Sequence, residues 1–67
     1  MICEILKEWH ELLKQGMKAD DFIPYSLECS DKESLFDMYN FAIKYLEDEQ
    51  RKSFCKEKLE ELIHASK

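Results

Sequence analysis

Along residues 2–15, apolar side chains recur at three- and four-residue spacing: Ile2, Ile5, Leu6, Trp9, Leu12 and Leu13. That spacing places them on one stripe of a 3.6-residue period. Glu4, Lys7, Glu8, Glu11 and Lys14 fill the other side, in an order that lets opposite charges pair across a turn. Gly16, the only glycine, follows Gln15, where a helix end needs left-handed backbone at no steric cost. The pattern predicts a first helix over about 2–15.

Residues 17–30 show no sustained period. Pro24 cannot donate to a helix ladder and pushes Ile23 toward extended backbone. Met17, Phe22, Ile23, Tyr25 and Leu27 nevertheless make the stretch apolar, so a loop lying against the core is expected rather than a solvated one. Asp20 or Asp21 could cap a single helical turn before the proline.

Periodicity returns after Ser30. Ser30 and Glu33 match a capping box, in which the hydroxyl accepts a first-turn amide proton and the glutamate reaches back. Asp31 and Glu33 add negative charge at the positive end of the helix dipole. A second helix is predicted over about 31–47. A third follows over about 49–65, with Phe54, Cys55, Leu59, Leu62 and Ile63 on its stripe. No Gly or Pro separates the two, but Glu47 through Ser53 holds no apolar residue. A continuous helix would have two turns with nothing to bury, so a turn near Glu47–Glu49 with Asp48 as cap is the better reading. The expectation is an all-α fold, a small three-helix bundle with the apolar loop 17–30 packed on its core.

The second helix is the most apolar. On a helical wheel with Leu35 at zero, Tyr39, Ala42 and Leu46 fall within about 40° of it and Phe36 and Ile43 sit near 80–100°. Met38, Phe41 and Tyr45 continue round the other side, giving an arc of roughly 220° against the stripe of about 100° that an ordinary surface helix needs. Two readings fit. The helix is the centre of the bundle, with Met38, Phe41 and Tyr45 covering Ile23, Pro24 and Tyr25. Alternatively those three side chains, with Ile23 and Tyr25, form a partner-binding surface, since Tyr, Phe and Met are enriched at interface cores and the spacing suits a helix-in-groove contact.

Composition bounds the rest. Sixty-seven residues suffice for one domain and too few for two cores. An apolar share of 45% with eight aromatics (three Tyr, four Phe, one Trp) is incompatible with a disordered chain. Ten basic and fifteen acidic residues give a net charge of −5, which argues against direct nucleic-acid binding, whose affinity draws on neutralised phosphates. No apolar run forms a signal peptide or reaches the roughly 18 residues a membrane span requires. Cys3, Cys29 and Cys55 are dispersed without a CxxC pair, which suits a reducing, cytoplasmic setting.

Candidate chemistry is sparse. Glu61 and His64 have the Glu-x-x-His spacing of bundle metal sites, but Lys7 occupies the matching place before His10, so the second half is missing. Neither a close-spaced zinc ligand pair nor a Gly-rich phosphate loop occurs. Among the thiols, Cys29 stands nearest a helix start, where the dipole would lower its pKa if exposed. No enzyme activity, cofactor or metal is expected. The sequence reads as a protein-interaction module that binds a protein partner or a second copy through the apolar surface of the second helix. An acidic nucleic-acid mimic that inhibits a nucleic-acid-binding protein and a Cys/His structural metal or redox protein stand as alternatives.

Overall fold

The computed structural model describes residues 4–65, and within them helix is the only regular secondary structure. The elements are α1 (Glu4–Lys14), α2 (Ala19–Phe22), α3 (Lys32–Tyr45) and α4 (Glu49–Ala65). The fold is thus a small all-α bundle of three long helices, with a one-turn helix inside the loop that precedes α3. Ile2 and Cys3, expected at the start of the first helix, lie outside the described residues.

Each boundary has a local cause. Gly16 has φ +92° at the end of α1. The Gly16 amide donates to the Leu13 carbonyl and the Met17 amide to the Leu12 carbonyl, the paired bonds of a Schellman motif. α3 begins one residue later than the capping box predicts. The cap is Asp31, not Ser30: its carboxylate accepts from the Glu33 amide at 3.3 Å and from the Ser34 hydroxyl at 3.0 Å. A carboxylate at the dipole's positive end satisfies the same amide as a serine would, with charge added. α3 ends at Tyr45, two residues short of the expected limit, because Leu46 is extended (φ −65°, ψ 141°). Asp48 then caps α4 by accepting from the Gln50 amide at 3.0 Å. Two helices joined by a turn, rather than one rod, is therefore correct.

The core is Trp9 from α1, Ala19, Ile23 and Leu27 from the α2 segment, Met38, Tyr39, Phe41, Ala42 and Leu46 from α3 and its end, and Cys55 from α4. The apolar loop does pack inward, as expected, although Met17 and Tyr25 face out. The molecule measures 38 × 30 × 15 Å across its Cα atoms. Its thin dimension corresponds to about two packed helices, given an interaxial spacing of 8–10 Å. In so thin a body a helix buries more than one stripe only if it has neighbours on two sides, and α3 is that helix, with Asp37, Asn40 and Lys44 left on its exposed edge.

Candidate functional site

The five residues expected to form a partner surface do not share one. Met38, Phe41 and Ile23 are buried in the core, and Tyr45 is half-buried. Tyr25 alone stands clear, 78% exposed. Phe41 is enclosed by rings: Trp9 at 5.3 Å, Phe22 at 6.4 Å, Tyr45 at 4.6 Å and the His10 imidazole edge-on at 4.9 Å. These are spacings at which aromatic pairs attract beyond their burial. The second face of α3 is thus covered by α1 and Phe22, not by Pro24 and Tyr25. The wide apolar arc is that of a central helix, because it meets α1 and α2 on one flank and α4 on the other.

Tyr25 contributes instead to a groove on the opposite side. Its ring lies against the Arg51 guanidinium, 4.4 Å from centroid to Cζ. With Ser26, Asp48, Gln50, Phe54 and Cys55 the pair lines a depression of about 400 Å³. Phe54, 45% exposed, forms the far wall, and Cys55, buried, lies in the floor. Burial pushes the Cys55 thiol above its ordinary value, with Arg51 opposing. A protonated thiol is a poor nucleophile, so the groove offers aromatic and cationic contact rather than covalent chemistry.

Beneath the groove is a polar clamp that periodicity could not show. The Asp20 carboxylate accepts from the Glu47 amide at 2.9 Å and the Asp48 amide at 3.1 Å. It thereby satisfies two donors at the α3–α4 turn that helix geometry leaves open. Donation by the Glu47 amide is the largest cause holding the Asp20 carboxyl below its ordinary value, and the Asp48 amide adds to it. Arg51 reaches back to the α2 segment, donating to the Asp20 carbonyl at 3.0 Å and to the Ile23 carbonyl. One arginine therefore caps the carbonyl end of α2 and presents its face to Tyr25. Asp20, expected as a cap for its own turn, caps a distant one; α2 itself has Lys18 at its N-cap with no side-chain bond.

The remaining candidates resolve as follows. Cys29 is half-buried beside the core and stands two residues before the true cap, Asp31, rather than next to it. Glu61 and His64 are exposed and border a shallow depression with Glu57 and Glu60, and Glu61 pairs with Lys58 at 3.5 Å. Among the described residues no group of three or more His, Cys, Asp or Glu could hold a metal ion, and no helix is long and apolar enough to cross a membrane. The other exposed large apolar side chains are Ile5, Met17, Phe36 and Ile63, and Phe36 borders a second depression with Lys32, Glu33, Asp37 and Leu62. No protein family, curated protein or solved structure matches this chain.

Proposed function

We propose that the chain is a non-enzymatic protein-interaction module whose contact surface centres on the Tyr25–Arg51–Phe54 groove. The observation that carries this reading is the exposure of two large aromatics, Tyr25 and Phe54, on either side of a half-buried arginine. Tyr and Arg are the residue types that dominate binding energy at protein interfaces, and they do so when seated around a pocket that a partner side chain can fill. The Arg51 guanidinium is already fixed by two carbonyls and Tyr25 is already stacked on it, so little ordering is left to do on binding. Ser26, Asp48 and Gln50 supply a polar rim.

A standard interface covers about 800 Å² per partner, roughly one-sixth of the 5065 Å² surface here. The groove is the centre of such an area, and its continuation along α4 passes Lys58, which lies 5.4 Å from the Phe54 ring. The dispersed free thiols Cys29 and Cys55 fit a reducing compartment. The test is capture of partners from a lysate of the source cells by wild type, Tyr25→Asp and Phe54→Asp, with Phe36→Asp as control. Tyr25, Phe54 and Phe36 are 78%, 45% and 36% exposed, and circular dichroism checks that each variant remains folded. Loss of the same captured protein in the two groove variants but not the control supports the reading; capture unchanged in both groove variants sinks it. Sedimentation at two concentrations identifies whether the partner is a second copy.

A further inference from the structure

We infer that the groove receives a linear segment of a partner protein that carries one large apolar side chain with basic residues beside it, the basic end lying over the α3–α4 turn. This rests on the protein-interaction reading and adds the chemistry of what is bound. The groove is pre-formed, because Ala19, Ile23 and Leu27, 2–6% exposed, seat the segment that carries Tyr25 and Ser26 in the core. At about 400 Å³ it stands at the small end of ligand clefts, roughly 300–1,000 Å³, and has room for one or two side chains. Its walls are the exposed rings of Tyr25 and Phe54 and its floor is buried Cys55. An apolar side chain between the two rings removes area from water on both of its faces.

The charges around the groove set the sign of what flanks that side chain. Both cations beside the two rings are already engaged. Arg51 donates to the Asp20 and Ile23 carbonyls and lays its face on Tyr25, while Lys58 lies over Phe54 and pairs with Glu61 at 3.5 Å. The carboxylates at the turn are in the opposite condition. Glu47, Asp48 and Glu49 are consecutive and exposed, Asp48 lines the groove, and among the described residues the ion pairs, Lys14–Glu11 and Lys58–Glu61, include none of them. Asp20 adds a fourth carboxylate at the same turn and Asp21 follows it, against Lys18, Arg51 and Lys52 on the same two segments. A partner cation therefore meets unpaired carboxylates at this end, whereas a partner anion meets like charge.

The experiment titrates the nitrogen-15-labelled full chain with three capped pentapeptides, Lys-Arg-Ser-Phe-Ser, Glu-Asp-Ser-Phe-Ser and Lys-Arg-Ser-Ala-Ser, and follows the backbone amide signals. The first peptide should shift the amides of Tyr25, Ser26, Gln50 and Phe54, and the other two should bind about threefold or more weakly. Reversing the rim with Glu47→Lys and Glu49→Lys together should weaken the first peptide by a similar factor; Asp48 stays because it caps α4. The inference is overturned by an acidic peptide that binds as tightly as the basic one, or by an anchor-free peptide that does so. It is equally overturned if rim reversal leaves the first peptide's affinity unchanged, or if that peptide shifts no groove amide at its solubility limit. Should the reversed variant fail to fold, the three peptides on the parent chain decide. Partner capture separates this inference from the reading beneath it. Capture lost in Tyr25→Asp and Phe54→Asp but kept on rim reversal overturns the basic flank alone, whereas capture unchanged in all of them overturns both.

Discussion

α3 and α4 start alike and end in different roles. Each opens on an aspartate that accepts an amide proton from two residues on, Asp31 from Glu33 and Asp48 from Gln50. α4 is the longer, 17 residues against 14, yet it buries only Cys55, whereas α3 buries Ser34, Met38, Tyr39, Phe41 and Ala42. Local signals that start a helix therefore say nothing about how much of it the fold will use. α3 is held by dispersion and apolar burial on two flanks. α4 is held along one edge, by half-buried Leu59 and Leu62, and at its first turn by the hydrogen bonds of Arg51.

The largest effect expected from this contrast is on core truncation. Met38→Ala should cost about 2–5 kcal/mol, the range for emptying a fully buried site, because Met38 is 2% exposed. Leu62→Ala on the half-buried edge of α4 should cost less than half as much. A domain of this size has only about 3–5 kcal/mol to lose, so the first variant should lose most of its stability and the second should keep most of it. Urea denaturation measures both, and equal costs would erase the distinction between central and outer helix.

A smaller, pH-dependent effect should separate the clamp from the core. The Asp20 carboxyl lies below its ordinary 3.8 in the folded chain, so its contribution is complete above that value. It is lost as pH falls through the folded value, where protonation removes an acceptor from the Glu47 and Asp48 amides. Asp20→Asn should flatten the acid limb of a melting-temperature profile below about pH 4; a limb of undiminished slope would show that other carboxylates govern it. On the alkaline side, burial raises the Cys55 and Tyr39 groups above their ordinary 9.0 and 10.0. Stability supplied by keeping them protonated is present below those values and declines as pH rises through the folded ones.

The smallest difference expected lies between the two caps. Asp31→Ala and Asp48→Ala should each cost about 1 kcal/mol, measured by chemical denaturation. Near-equal values would show that helix starts are local in origin even where burial differs several-fold. A much larger loss at Asp48 would mean that the α3–α4 turn depends on its own cap as much as on Asp20.

Much of the fold was legible because its causes are local. The first helix and its glycine stop follow from 3.6-residue spacing and a left-handed requirement that Gly16 meets. The break after Tyr45 was readable from a stretch with nothing to bury. The shift of a cap from Ser30 to Asp31 was not, because either side chain can accept the same amide proton. The candidate surface was less accessible still. Met38 and Phe41 have interface chemistry and interface spacing, but whether such a stripe faces a partner or another helix of the same chain is not a property of the stripe.

By itself, the sequence determined the helices, their approximate limits, the inward packing of the apolar loop and the absence of a self-evident catalytic motif. Period and capping are set by neighbours within a few positions, and a chain of 67 residues carries those signals openly. Only the tertiary structure decided that α3 is central and α4 peripheral. It also decided that Asp20 caps a turn 27 residues away, and that Arg51 and Tyr25 meet above Cys55. Those contacts join residues whose spacing follows no period, and they arise from how the loop folds back over the α3–α4 turn.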